Sequence, residues 1–358
     1  PGNEDAWLSY VSILQRQKRM DEALGRLEHV LKLRHDRKED DFNLRMAYAR
    51  LLADARRFDD SLKQFEILGK TQPDNPEVSF ALGLLHLQAN RVEEAEPYFK
   101  QLVSNEERGD DASYYLGRIA EEKENYDQAN VWYLGVQGGE NYFDAQVRLG
   151  LILAKQNRLD EARTHLRSVR TRNAEERALL VQAEGELLAE GKRYDEAMSV
   201  YDQALRGGFN SDVMYARAML AEKMDRLDIL ERDLREILDK DPGNAQALNA
   251  LGYTLADRTD RFQEALEFIR RALEISPSDF YILDSMGWVL YRMGRLDEAE
   301  EYLRKALVLR ADSEVAAHLG EVLWAKGDRK GANEIWNTAL QETPGDDKLL
   351  DVIKRFKE

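Results

Sequence analysis

The stretch Gly287–Leu307, GWVLYRMGRLDEAEEYLRKAL, holds the end of one amphipathic helix, a turn and the start of a second. Leu283, Met286 and Leu290 recur at helical spacing before the turn Met293-Gly294-Arg295. A second apolar face follows at Leu296, Ala299, Leu303 and Ala306. One such helical hairpin cannot bury its apolar stripe alone, so the question is whether the pattern recurs.

It recurs ten times. The small residue of the first helix falls at Val11, Ala49, Gly83, Gly117, Gly150, Gly185, Ala218, Gly252, Gly287 and Gly320. The residue opening the second helix falls at Ala23, Ser61, Ala95, Ala129, Ala162, Ala197, Leu230, Ala265, Ala299 and Ala332. Intervals are 33–35 residues, with 38 between the first two copies. Helix breakers separate the copies: Gln72-Pro73-Asp74, Asp241-Pro242-Gly243, Ser276-Pro277-Ser278 and Thr343-Pro344-Gly345, with glycine pairs at Gly138-Gly139 and Gly207-Gly208. Proline stops a helix, Asp or Ser caps the next, and glycine suits a left-handed helix terminus. The seventh copy, with Ala218 and Leu230 at the small positions, departs furthest from the pattern.

In spacing, residue type and phase the chain resembles the tetratricopeptide repeat (TPR) family over nearly its whole length. That resemblance implies an all-α solenoid, a right-handed superhelix of about ten helix-turn-helix repeats with a long concave face. The repeat array is expected over residues 1–345, and residues 346–358, containing DKLLDVIKRF, as a C-terminal capping helix. The opening PGNEDAW is similar to DPGNAQA at Asp241–Ala247, an inter-repeat turn, which leads us to expect a further repeat upstream of Pro1.

Bulk properties narrow the function. The 358 residues carry a net charge of −16, from 68 acidic and 52 basic side chains. Such a surface repels phosphate backbones, so no nucleic-acid partner is expected. Cysteine is absent, which removes disulfides, thiolate metal sites and a cysteine nucleophile. No apolar run reaches the roughly 18–20 residues that span a bilayer, and the N-terminus lacks a signal-peptide pattern.

Chemistry is equally sparse. The five histidines, His29, His35, His86, His165 and His318, form no metal-ligand spacing. His86 and His318 fall at helix-packing positions. Gly185 to Lys192 mimics a phosphate loop but has one residue too many between its glycines and Arg193 in place of Ser or Thr. Acidic pairs such as Glu93-Glu94 and Asp297-Glu298 open second helices, where carboxylates favour the positive helix end. No catalytic residue, metal or cofactor is expected; the chain reads as a non-catalytic binding protein.

In the family that the chain resembles, the first helices line the concave face through the second, fifth, ninth and twelfth repeat positions. Carried onto this sequence, that implies protein-binding residues Phe80, Leu84, Leu87, Tyr114, Arg118, Val147 and Leu151 in repeats three to five. Repeat seven contributes Tyr215 and Met219, and repeats eight to ten contribute Tyr253, Tyr281, Trp288, Tyr291 and Trp324. Exposed aromatic clusters supply large rigid contact area with a polar tip. The second position is acidic at Asp5, Glu77, Asp111, Asp144, Asp212 and Glu314, also close to a helix N-terminus where capping would account for it. The lysine, asparagine and arginine with which some family members clamp a terminal carboxylate are absent, so a basic or apolar ligand is expected.

Residues 248–307 carry a narrower resemblance. The blocks LGYTLADR and ILDSMGWVLYR look like bacterial envelope TPR proteins, many of them outer-membrane lipoproteins. They resemble the branch that partners the carboxyl-terminal processing protease. By that resemblance the chain is a periplasmic adaptor that holds a serine protease and presents substrates such as peptidoglycan hydrolases. It would reach the outer membrane only through an N-terminal lipid anchor upstream of Pro1. A cytoplasmic TPR scaffold or regulator unrelated to proteolysis is the rival expectation, and the substrate-binding arm of a larger enzyme a third.

Overall fold

The computed structural model describes residues 4–357, all of whose regular structure is helical. The turn expected at the start of the chain lies in Pro1–Asn3, outside the described residues. Two compact units result, Pro1–Ala183 and Glu184–Glu358.

The first unit is built of hairpins α1 (Glu4–Arg16) and α2 (Met20–Arg37), α3 (Phe42–Asp54) and α4 (Phe58–Thr71), and α5 (Pro76–Gln88) and α6 (Val92–Leu102). It continues with α7 (Gly109–Glu122) and α8 (Tyr126–Gly135), then α9 (Tyr142–Lys155) and α10 (Leu159–Ser168). The unit boundary falls within α11 (Ala174–Glu190). The second unit holds α12 (Tyr194–Leu205), then α13 (Ser211–Lys223) with α14 (Leu227–Lys240) and α15 (Ala245–Arg258) with α16 (Phe262–Ile275). It ends with α17 (Phe280–Arg292) and α18 (Leu296–Leu309), α19 (Ser313–Ala325) and α20 (Arg329–Glu342), and the unpaired α21 (Asp347–Lys357). Helices of a hairpin pack on each other, and second helices pack on the first helix of the next hairpin, as α18 does on α19.

Two sequence devices place the helix starts. Five first helices are capped by a short polar side chain: Asn75, Asn210, Asn244, Asp279 and Asp312 accept from backbone N–H groups of the following turn. The second helices begin differently. Their N-cap residue is repeatedly an arginine, which clasps the carboxylate three residues on: Arg57 with Asp60 at 2.8 Å, Arg158 with Glu161 at 2.7 Å, Arg295 with Glu298 at 2.6 Å. Being exposed, each pair contributes little by itself, but the carboxylate also faces the positive helix end. The turn inside nine of the ten hairpins holds one residue in the left-handed region; the α15–α16 turn passes through Thr259 at φ −143° instead. Gly294 (φ 75°) and Gly327 (φ 90°) adopt it freely, whereas Glu124 (φ 54°) and Lys192 (φ 58°) adopt it against their own preference.

The core repeats one contact. Sixteen residues after each first-helix small residue, seventeen in the eighth repeat, stands a large side chain at 0–2% exposure: Leu27, Phe65, Phe99, Tyr133, Leu166, Tyr201, Leu234, Ile269, Leu303 and Trp336. At seven glycines this side chain lies where a Cβ would be. A Cβ on Gly83 would stand 2.7 Å from the Phe99 ring, and one on Gly150 2.6 Å from Leu166. The seventh repeat, with Ala218 and Leu234 at these places, is reinforced otherwise. Arg217 donates twice to the fully buried carboxylate of Asp233, at 2.7 and 2.9 Å, and once to Asp202.

Gly252 is the sharpest test of this packing, because the added Cβ would meet backbone as well as side chain: Ile269 Cγ1 at 2.5 Å and the Ala265 carbonyl at 3.0 Å. Overpacking costs about 1–3 kcal/mol, against about 0.5–1 kcal/mol regained in helix propensity. Gly252→Ala is therefore expected to lower the stability of the second unit by about 1–2 kcal/mol. Urea denaturation followed by far-UV circular dichroism checks it; an unchanged or raised midpoint would contradict the close-approach account.

Candidate functional site

The first helices of the second unit enclose a cavity of about 820 Å³, lined among others by Tyr215, Met219, Tyr253 and Tyr281. All four are residues singled out from the sequence. Tyr281 is the most open, 56% exposed, with its ring centroid 3.9 Å from that of Phe280. In the first unit, Leu84, Leu87 and Arg118 line a cavity of about 900 Å³. Phe80 and Leu84 border another of about 600 Å³. Phe80 is half packing residue: it meets Phe99 and Tyr115 edge-on, and the Arg108 guanidinium sits 4.6 Å above its ring.

Other expected groove residues lie elsewhere. Trp288 is only 8% exposed, because its indole N–H donates to Asp257 at 3.2 Å and its ring stacks 4.2 Å from His318. Trp324 is half-buried against Trp336 and Phe356, the latter on α21. These two rings are corrected from free groove surface to packing between repeats. Tyr291 leans on Trp288 at 5.2 Å, and Tyr114 is buried, its hydroxyl donating to Asp144 at 2.7 Å. Leu151 is exposed but borders none of these cavities; Val147, also half-buried, borders none of them either.

Four of the six acidic second positions, Glu77, Asp111, Asp144 and Glu314, pair with side chains of neighbouring elements in place of the capping that the sequence allowed. Glu77 joins Arg50 of the preceding repeat, at 3.1 Å, to Arg108 of the next, at 2.7 Å. Asp111 takes Arg108 and the Asn141 amide, and Asp144 takes Arg148 and the Tyr114 hydroxyl. Glu314 faces Lys348 of α21 at 3.6 Å. They tie neighbouring repeats together along the first-helix face.

The electrostatics of the 820 Å³ cavity are the main feature missed in the sequence. Glu222, Asp284 and Glu314 line it along with the capping carboxylates Asp279 and Asp312; Lys348 is the cation on its wall. Burial, and then the fields of Glu314, Asp257, Asp284 and Glu222, push the Tyr253 phenol far above its ordinary range. Burial raises the Glu222 carboxyl too, with Arg258 only partly opposing it. Glu222 and Asn249 stand at the twelfth and fifth positions of their repeats, on the same rows that the aromatic residues were read from. The signal was present, but attending to rings alone passed over it.

Behind the cavity lies a buried ion pair. His318 Nδ1 sits 2.9 Å from the Asp284 carboxylate, and both residues are at 7% exposure. Burial by itself would lower the imidazole pKa. Asp284, through charge and hydrogen bond, with Glu314 and Glu321 behind it, outweighs burial and raises it. A histidine whose pKa is raised on folding contributes stability that is full below about 6.5 and lost as pH rises through the folded value. Glu222 and Glu321, raised mainly by burial, act in the same sense at lower pH. The second unit is thus expected to lose stability as pH climbs above about 6.5, and His318→Gln to flatten that part of the profile. Urea midpoints across a pH series check it; a wild-type midpoint rising through that range would contradict it.

Among the described residues, no three or more His, Cys, Asp or Glu side chains converge as a metal site, and no helix is long and apolar enough to cross a membrane. The tetratricopeptide repeat family profile matches residues 46–110, 93–142, 147–211 and 215–280, and a second profile of that repeat matches 281–312. The chain is 43% identical over 213 residues to the TPR repeat-containing protein PA4667 of Pseudomonas aeruginosa, a match covering 59% of this chain and 36% of that one. It therefore spans about a third of the length of that relative. A human relative, tetratricopeptide repeat protein 7B, is 34% identical over 88 residues, 24% of this chain and 10% of its own. Among solved structures, a tetratricopeptide repeat protein of Parabacteroides merdae aligns with 79% of this chain and 99% of its own at TM-score 0.49 and 14% identity. Yeast Tom70 aligns with 98% of this chain and 94% of its own at 0.45 and 13%; both likenesses are too loose to bear on function.

Proposed function

The chain belongs to the tetratricopeptide repeat family, and from that premise we propose that it is a protein-binding scaffold with no catalysis of its own. The observation that carries this is the cavity of the second unit. Tyr215, Tyr253 and Tyr281 converge on one face with the carboxylates of Glu222, Asp284 and Glu314. Rigid aromatic area with polar tips is what protein recognition uses.

The narrower proposal is that the scaffold is a periplasmic adaptor, held at the outer membrane by a lipid anchor upstream of Pro1. It binds a carboxyl-terminal processing serine protease and presents protein substrates such as peptidoglycan hydrolases. The resemblance of residues 248–307 to envelope TPR lipoproteins supports it. The mechanism is physical. Holding protease and substrate on one scaffold replaces a bimolecular encounter by an effective concentration in the millimolar range. An adaptor that prefers the competent state of its protease also shifts that equilibrium.

The test is retention from envelope extract on the immobilised protein, wild type beside Tyr281→Ala. Tyr281 is chosen because it is open, whereas changing Trp288 or Trp324 would remove packing. Wild type is expected to retain a processing protease together with cell-wall hydrolases. Loss of an exposed aromatic anchor costs about 1.4–2 kcal/mol, so Tyr281→Ala should weaken one of the two at least about tenfold. Retention of cytosolic proteins alone would favour the cytoplasmic scaffold and remove the protease reading.

A further inference from the structure

We infer that the cavity of the second unit recognises a lysine or arginine side chain of an extended partner segment, received among the Glu222 and Glu314 carboxylates with Tyr253 and Thr254 beneath it. This rests on the protein-binding reading above and names the partner chemistry.

The unused polar groups point to a cation. Of the carboxylates on the cavity wall, Asp279 and Asp312 are committed to capping α17 and α19, and Asp284 is committed to His318. Glu222 has neither a hydrogen bond nor an ion pair among the described residues, and Glu314 has only Lys348, at 3.6 Å, 81% exposed itself. Both carboxylates therefore border the cavity with acceptor capacity left over. Thr254 gives an independent indication. It is 4% exposed, lines the cavity, and its hydroxyl has no hydrogen-bond partner among the described residues. Asn249 adds a buried amide oxygen that no donor reaches. A buried acceptor without a partner is destabilising, and an incoming N–H group would satisfy it.

The protein already shows which charge this face accepts. Lys348 and Arg355 of α21 stand 34 residues beyond Glu314 and Glu321, in the register of the repeat, and reach those carboxylates at 3.6 and 2.9 Å. Where α21 covers the face, cations meet its carboxylates; three and two repeats earlier, at Glu222 and Tyr253, the residues that follow one repeat on are Ala256 and Trp288, neither of them a cation. An acidic segment would instead add a carboxylate to the four whose fields already act on Tyr253. The walls suit the apolar stem of a lysine or arginine, with Met219, Ile282 and Val315 along it and the face of Tyr281 available to the charged head. A cavity of about 820 Å³ lies within the size range of ligand clefts, and a net charge of −16 steers a cationic segment toward the protein.

The test uses the full chain and defined probes: a short fluorescein-labelled peptide alternating lysine with leucine, and the same peptide with norleucine or glutamate for lysine. Fluorescence anisotropy is expected to show the lysine peptide binding at least about tenfold tighter than either control, a gap of about 1.4 kcal/mol. Glu222→Gln/Glu314→Gln should abolish that preference. Glutamine at 222 removes a charge that burial disfavours, so this variant keeps the fold, which circular dichroism verifies. Glu93→Gln/Glu94→Gln makes the same charge change at exposed positions of α6 and should leave binding unchanged. Tyr253→Phe should weaken the lysine peptide without weakening the norleucine one.

Equal binding of the three peptides overturns the inference, as does equal loss in the two double variants, which would mean non-specific attraction to an acidic protein. The adaptor proposal fails separately. If envelope partners are retained identically by wild type and Glu222→Gln/Glu314→Gln, the cation site falls and the scaffold stands. If no envelope partner is retained but the lysine peptide behaves as expected, the site stands and the adaptor falls.

Discussion

Everything in these two units depends on how closely the two helices of a hairpin approach. A large side chain on the second helix occupies the volume that a Cβ would take on the first, as Phe99 does at Gly83 and Leu303 at Gly287. The glycine costs up to about 1 kcal/mol of helix propensity. Full burial of a ring or branched side chain contributes about 1.5–3 kcal/mol in return. The balance favours the close pair, and repeating it sets the hairpin geometry from which each first-helix face is built. The pairing also tolerates substitution of kind. Tyr133 and Trp336 fill the same place with a polar atom that must be satisfied, and each is: the Tyr133 hydroxyl donates to Glu121, and the Trp336 indole N–H to the Ala317 carbonyl.

That constraint explains why the architecture was legible in the sequence. A glycine or alanine, a turn, then an alanine and a large apolar residue at fixed offsets are all local, and ten repetitions make the phase unmistakable. The first-helix face was legible only in part. Tyr215, Met219, Tyr253 and Tyr281 were placed on it from register and do border its cavity. Register assigns a Cα direction but not the fate of the ring. Trp288 shares the ninth position with Tyr253, yet it turns into the structure because Asp257 and His318 offer it a hydrogen bond and a stacking partner. Those partners lie 31 and 30 residues away in the chain, beyond what one repeat displays. Trp324 is half-covered for a similar reason: its cover, Phe356, comes from a helix outside the array of pairs.

Charge follows the same division between local and long-range. The arginine that opens a second helix and the carboxylate three residues on form a local pair, visible as the recurring R-x-x-E or R-x-x-D. The acidic second positions Glu77, Asp111, Asp144 and Glu314 looked like local caps but act between repeats. Glu77 bridges two arginines that are 58 positions apart, Arg50 and Arg108. An isolated exposed pair of this kind is worth little; a chain of them along one face restricts how adjacent hairpins slide. The groove side of each unit is therefore held by ions, and its hairpin interiors by apolar contact.

α21 brings the two together. It packs as an additional first helix: Leu349 and Ile353 are buried, and Phe356 closes over Trp324 and Trp336. At the two groove positions where earlier repeats carry acids or rings, it carries Lys348 and Arg355. Apolar burial alone would be met by any amphipathic helix in this place. The cations add a second property: Arg355 meets Glu321 at 2.9 Å and Lys348 stands loosely at 3.6 Å from Glu314, while the carboxylate of Glu222, further back along the groove, has no partner among the described residues. Four carboxylates, Glu314, Asp257, Asp284 and Glu222, act together on Tyr253, where the cavity is open. The same helix thus shows, with its own cations, the charge that this face receives.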